Sequence, residues 1–412
     1  MKKILVFLMI FVFVSGCELN DSISLDKNVV TIDFSVTSNS IDFSSNGNNF
    51  ELYLGDKLVT KGKVSNNNKI TDLESDTNYT LVVDDKSEII KTDKITILRF
   101  GGDVMMTSYF KMYIDSQGVD YMWEDVSELI READYSIFNL ETSVSLRGSD
   151  TKPEGFGFRS EPSTLQGLVN AGVDMVSLAN NHVLDYGRDA LTDTIISLKE
   201  NNIEFVGAGE NLAEASKINY QSINGIKVAF LAASEILGYE SNKATDDKSG
   251  VFYLNRNDLS DIIEVVKEAQ ANADYVVLIA HWDREYYDNP KDETVNMAHT
   301  LIDNGIDIII GHHPHVLQGI EYYKNGIIYY STGNFNFLIK NENASQSALF
   351  ELAFDKEKIV SSKVYPIKIN ACKANLLDKN SKNYNTIINN LNERSEQFGT
   401  CIDEEGNVLK KV

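Results

Sequence analysis

Ile306-Asp307-Ile308-Ile309-Ile310 runs directly into Gly311-His312-His313-Pro314-His315. A short β-branched apolar run reads as a strand buried on both faces, and three imidazoles follow it here. The same grammar occurs four times upstream. Residues 95–100 lead into Gly101-Gly102-Asp103, 135–138 into Asn139-Leu140-Glu141, 175–178 into Asn180-Asn181-His182, and 275–280 into His281. Five of the six histidines stand at these places, and His299 is the exception. Ligands of open α/β sheets gather beyond the carboxyl ends of the strands. The pattern therefore predicts one site assembled from five strand ends.

Amphipathic helical patterns over 191–201, 259–271 and 293–304 separate several of these strands. Gly172 and Gly305 follow helical segments as C-terminal stops. Strands alternating with helices predict an α/β domain over 94–370, strand-rich again after Gly319. The tail, 371–412, is polar and predicts one helix over 383–398. Upstream, 29–93 has an alternating β texture broken by Asn46-Gly47-Asn48 and Asn66-Asn67-Asn68. It predicts a small β-sandwich, and 73–79 resembles the tyrosine corner of fibronectin type III modules.

The 412 residues admit two or three domains at about 100–200 residues each. Asp and Glu outnumber Lys and Arg 61 to 38, giving a formal net charge of -23. That balance argues against general nucleic-acid binding, which requires a basic footprint. Lys2 and Lys3 precede an apolar run over 4–14, well short of the about 20 residues a membrane span needs. This is the pattern of a cleavable signal over 1–17. Val14-Ser15-Gly16-Cys17 resembles a bacterial lipoprotein box. By that resemblance Cys17 carries lipid, 18–28 is a linker, and the protein is anchored at the extracellular face of the cell membrane. Cys372 and Cys401 remain. In an oxidising compartment they are expected to form a disulfide that ties down the tail.

Carboxylate, amide oxygen and imidazole make a mixed oxygen–nitrogen donor set, suited to one or two divalent ions of Mn, Fe or Zn. Thiolates are absent from it, which argues against a structural zinc site. Two ions need a bridging carboxylate, and Glu141 is the candidate. Taken singly, Asp103 reads as a turn residue, Asn180-Asn181 as loop stabilisers and His281 as a core histidine. Recurrence at equivalent strand ends carries the metal reading. Arg159 and Arg284 could hold an anionic substrate oxygen in bidentate fashion, and Glu285 joins them as a candidate substrate-binding residue.

Gly102-Asp103-Val104-Met105, Asn139-Leu140-Glu141-Thr142, Ser177 through His182, Asp185-Tyr186-Gly187, His281-Trp282, Glu285-Tyr286, Gly311 through Val316 and Tyr330 through Phe335 occur in that order. Together they resemble the CapA family of poly-γ-glutamate capsule biosynthesis, related to calcineurin-like metallophosphoesterases. The resemblance covers about 95–369. It implies a metallophosphoesterase-like α/β-β/α sandwich with metal at one edge of the sheets. It implies Asp103, Glu141, Asn181, His281, His313 and His315 as ligands and His182 as general acid. His312 is an extra histidine in that pattern. Met105 stands where a metallophosphoesterase has a ligand histidine, and Asp283 where a glycine is usual; both put simple phosphatase activity in doubt. Three functions are compatible. The first is a surface factor in poly-γ-glutamate synthesis, export or processing, with the polymer and the synthesis and export proteins as partners. The second is a secreted metal-dependent phosphatase or phosphodiesterase. The third is a non-catalytic, metal-dependent polymer binder.

Overall fold

A computed structural model describes residues 29–107, 110–152, 157–339 and 341–411. The expected signal segment, Cys17 and the expected linker lie outside the described residues. The chain divides into two compact units, the second running through Thr92–Val412 with two short upstream pieces. The first unit is built of strands in a four-stranded and a three-stranded sheet. Ile41, Phe43, Leu52, Ile70, Tyr79, Leu81, Val83 and Ile90 are its buried apolar side chains among the described residues.

The second unit has an eight-stranded and a six-stranded sheet, each mixing parallel and antiparallel pairs. Strand Tyr275–His281 explains their packing. Val277 and Ile279 enter a core that also takes Phe100, Ile137 and Phe350 from the other sheet. Val276, Leu278 and Ala280 enter a separate core closed by helices Ser260–Gln270 and Asp292–Asp303. Alternate side chains of a strand face opposite ways, so a strand apolar on both faces must lie between two apolar layers. Rings bridge the two sheets: Phe100 lies 4.8 Å from Tyr329, Tyr135 5.2 Å from Phe230 and Tyr275 4.8 Å from Phe354. Each such side chain, fully buried, contributes about 1.5–3 kcal/mol.

The parallel pairs set the site. Asp103 is in register with Asn139 and Asn334, Ser177 with Asn139, and His281 with both Ser234 and His312. Four strands extend further than the sequence pattern predicts, Thr96–Val104, Tyr135–Leu140, Tyr275–His281 and Ile308–His312. Asp103, Asn139, His281 and His312 therefore lie inside strands rather than after them. The first extension requires Gly102, where a Cβ would sit 2.1 Å from the Gly333 carbonyl oxygen. The register also shifts between Phe100 and Asp103, a bulge that re-aims the aspartate.

The three helices expected from periodicity and the one expected in the tail appear as Arg188–Glu200, Ser260–Gln270, Asp292–Asp303 and Lys382–Glu396. Tyr384, Ile387, Ile388 and Leu391 of the last one join the main core. The tail also forms a hairpin, Thr400–Ile402 with Val408–Lys410. The expected disulfide is not formed: Cys372 and Cys401 are both free thiols. Cys372 occupies a left-handed turn (φ 63°) before strand Lys373–Leu376, whereas Cys401 pairs with Leu409 in the terminal hairpin. The tail is held by apolar packing instead.

Candidate metal centre

Glu141 follows strand Tyr135–Leu140 and is fully buried. Neither of its carboxylate oxygens has a hydrogen-bond partner among the described residues. Three imidazole nitrogens surround Oε1: His281 Nε2 at 3.7 Å, His182 Nε2 at 3.9 Å and His315 Nε2 at 3.9 Å. Burial, then the charges of Asp103, Glu285 and Asp185, push its pKa well above the ordinary carboxylate range. A buried carboxylate without a donor costs several kcal/mol unless a cation joins it. Two ligands each about 2.1 Å from a common ion lie about 3–4 Å apart, which the separations at Glu141 match.

Asp103 is also fully buried. Its Oδ1 accepts hydrogen bonds from His312 Nδ1 at 2.9 Å and Asn139 Nδ2 at 2.8 Å. Its Oδ2 lies 3.2 Å from His315 Nδ1. Burial raises its pKa, but bonding to His312 and His315 outweighs that and holds it well below the ordinary value. His312 thus helps Asn139 and His315 to fix Asp103. His315 Nδ1 also lies 3.0 Å from Asn334 Oδ1, and Asn334 Nδ2 donates to the His315 carbonyl. With Nδ1 anchored in this way, His315 is left to present Nε2, the usual arrangement for an imidazole ligand.

His281 Nε2 donates to Asn181 Oδ1 at 2.8 Å. His313 Nδ1 is buried without a partner among the described residues, and burial lowers its pKa to about 3. His313 and His315 are both held at positive φ, 95° and 58°. Non-glycine residues tolerate that backbone only where the surroundings enforce it.

Donor atoms of Glu141, His281 and His313 all lie within 4.8 Å of one another, as do those of Asp103, Glu141 and His315. The two groups share Glu141, the bridging candidate. This donor set fits a divalent cation on chemistry as well as spacing: hard carboxylates, neutral imidazoles and an amide oxygen, with orphaned atoms facing one another.

His182 stacks on Phe158 with ring centroids 4.0 Å apart, and its Nδ1 donates to Asp185 Oδ2 at 2.6 Å. Asp185 is fully buried and also accepts from the Phe158 backbone N–H. Burial lowers the His182 pKa even though Asp185 acts to raise it. Sequence reasoning gave Asp185 no role; a carboxylate three residues after a histidine is an ordinary turn residue. It also left Asn139 and Asn334 without a role, whereas it read Asn180, taken singly, as a loop stabiliser. Asn180 Oδ1 accepts from the backbone N–H groups of His182 and Val183, which shapes the loop rather than binding metal.

The substrate-binding candidates are placed differently from one another. The Arg159 guanidinium lies 4.3 Å over Tyr186, in the wall of a cavity of about 210 Å³ with Met106, Thr107 and Lys111. Arg284 lies 3.7 Å over Tyr287, its Nε 3.8 Å from Asp283 Oδ1. Neither contacts the imidazole–carboxylate cluster. Glu285 does join it, within 4.8 Å of the donors of His313 and His315.

Among known proteins, the "Capsule biosynthesis protein CapA" of Bacillus anthracis is 36% identical over 60% of this chain and 61% of its own length. The "PGA biosynthesis protein CapA" of Bacillus subtilis is 32% identical over 74% of this chain and 80% of its own. The chain thus spans less than two thirds of the first relative and four fifths of the second. The solved structure of Haemophilus influenzae NAD nucleotidase is 12% identical, with a TM-score of 0.42 over 70% of this chain and 58% of that one. The family profile described as "Bacterial capsule synthesis protein PGA_cap" matches residues 97–338, and this chain belongs to that family.

Proposed function

We propose that this protein acts in the synthesis, export or processing of poly-γ-glutamate, as a lipid-anchored factor on the outer face of the cell membrane. The β-rich first unit, read as a fibronectin type III-like spacer, would lift the site off the membrane. The observation that carries the functional reading is Glu141, an unpartnered buried carboxylate ringed by three imidazole nitrogens. Family membership supplies the substrate class, since the Bacillus relatives are named for capsule and PGA biosynthesis.

One or two divalent ions (Mn, Fe or Zn) would be held by Asp103, Glu141, Asn181, His281, His313 and His315 in a metallophosphoesterase-like arrangement. Bound there, the metal supplies Lewis acidity and attraction for anionic oxygens. The chain does the rest. Asp185 holds the proton on His182 Nδ1, so Nε2 faces Glu141 and can carry a proton to a leaving group. Phe158 covers one face of that imidazole. Arg159, beside its cavity, and Arg284 would meet substrate carboxylates beyond the metal. Long-range repulsion between the acidic protein and a polyanion is screened beyond about 8–10 Å at physiological salt. The positioned His182–Asp185 pair favours chemistry over simple polymer binding, because a binder needs no oriented proton donor. A phosphoester substrate is the second reading, supported by the donor set alone.

Elemental analysis of wild type and the His313→Ala/His315→Ala double variant, each assayed on poly-γ-glutamate and on a model phosphoester, tests this. Wild type is expected to carry one or two equivalents of transition metal and to act on the polymer; the variant is expected to lose the metal. A folded wild-type protein that takes up no ion on reconstitution would sink the proposal. Turnover of the phosphoester alone would select the second reading.

A further inference from the structure

Glu285 differs from the other carboxylates of the cluster because it is exposed. Its donor, that of His313 and that of His315 lie within 4.8 Å of one another, the two histidines buried and the glutamate exposed. His313 is 5% exposed and has an unpartnered Nδ1. Met105, which follows Asp103 by two residues, is fully buried among apolar side chains, so it offers no oxygen or nitrogen donor beside Asp103.

The loop carrying Glu285 is fastened from several sides. The Tyr286 backbone N–H donates to the Pro314 carbonyl at 2.8 Å, tying it to the turn between the two histidines. Gln318 Nε2 donates to the Tyr287 carbonyl at 2.8 Å. From the C-terminal helix, Arg394 Nη2 lies 2.9 Å from Asp288 Oδ1, and Gln397 Nε2 donates to Asn289 Oδ1 at 2.7 Å. Asp283 and Tyr286 adopt positive φ, 70° and 63°. A loop so restrained presents its carboxylate at a defined place, as a metal ligand requires.

We propose that Glu285 is itself a metal ligand, joining His313 and His315 from the exposed side in holding one of the ions of this centre. It would then be a coordinating residue rather than a contact for the polymer. This rests on the metal-centre reading above, and the experiment separates the two. Isothermal titration of the metal-free mature protein with Mn²⁺ and with Zn²⁺, together with elemental analysis, is compared for wild type, Glu285→Gln and Glu285→Asp. Glu285→Gln is expected to lose one equivalent, or to bind one ion at least about tenfold more weakly, with Glu285→Asp in between. Because the side chain is exposed, circular dichroism should show all three folded alike. Wild-type stoichiometry and affinity in Glu285→Gln would overturn the inference while leaving the metal centre standing. The same holds if the variant changes polymer affinity alone, which would return Glu285 to substrate binding. A wild type that binds neither ion overturns both.

Discussion

At the level of single residues, the His182–Asp185 pair makes the sharpest claim. The 2.6 Å bond from Nδ1 to a fully buried carboxylate selects one tautomer and leaves Nε2 free. Asp185→Asn keeps the shape but can present an N–H to the ring, reversing the tautomer. We expect turnover to fall by about 10²–10⁴-fold with metal content unchanged. Long-range ¹⁵N–¹H spectra of the imidazole should show the proton leaving Nδ1. Retention of the Nδ1–H tautomer in the variant would show that Asp185 does not set it. His182 was visible in the sequence because it closes an Asn-Asn-His run at a strand end. Asp185 was not, because its role depends on burial and on the Phe158 backbone N–H it also holds. His312 is similar: the sequence shows a third imidazole, but only the register that sets His312 opposite His281 turns its ring onto Asp103.

The C-terminal helix Lys382–Glu396 shows what a structural element adds. Arg394 is buried and donates from Nη1 to the Leu317 carbonyl at 2.6 Å, while Nη2 reaches Asp288 and Asn343. One side chain thus links the helix to the segment after His315 and to the Glu285 loop. Arg394→Ala should destabilise the protein by about 1–3 kcal/mol, mostly through the carbonyl left without a donor. Hydrogen exchange should accelerate across 283–291. Unchanged protection there would mean that the loop holds itself and the helix is a bystander. The sequence predicted this helix but not the ties that Arg394 makes, because the partners of that side chain are a carbonyl and short polar side chains that carry no pattern. For the same reason the central strands were legible and the hairpin after it was not. Ile308–His312 is apolar on both faces, whereas Thr400–Ile402 is three residues long. The expected disulfide failed for a related reason: two cysteines in one oxidising compartment say nothing about distance, and these two sit on elements that the core fixes independently.

Across the whole molecule, folding without metal must close two sheets over Glu141, and that cost has a sign that can be measured. Burial, with Asp103, Glu285 and Asp185 nearby, raises the Glu141 pKa in the folded state. A raised pKa means that its share of stability is fully present below the ordinary carboxylate value and is lost as pH climbs towards the folded value. Glu141 should therefore take stability from the metal-free protein as pH rises above about 4.5, while His182 and His313, whose pKa values burial lowers, act in the opposite direction. Glu141→Gln removes the ionisation but keeps the volume. In the metal-free state this variant should melt higher than wild type at pH 7–8, and the gap should shrink towards pH 5. Added Mn²⁺ should reverse the order. A ligand present at 100 times its Kd stabilises by about 2.7 kcal/mol, roughly 5 °C for a unit of this size, and wild type alone should gain it. Melting curves of both proteins at several pH values, with chelator and with Mn²⁺, would decide the matter. If Glu141→Gln and wild type share one pH dependence without metal, Glu141 is not the buried charge that the fold must accommodate. The orphaned oxygens would then have to be satisfied by protonation or water instead of a cation.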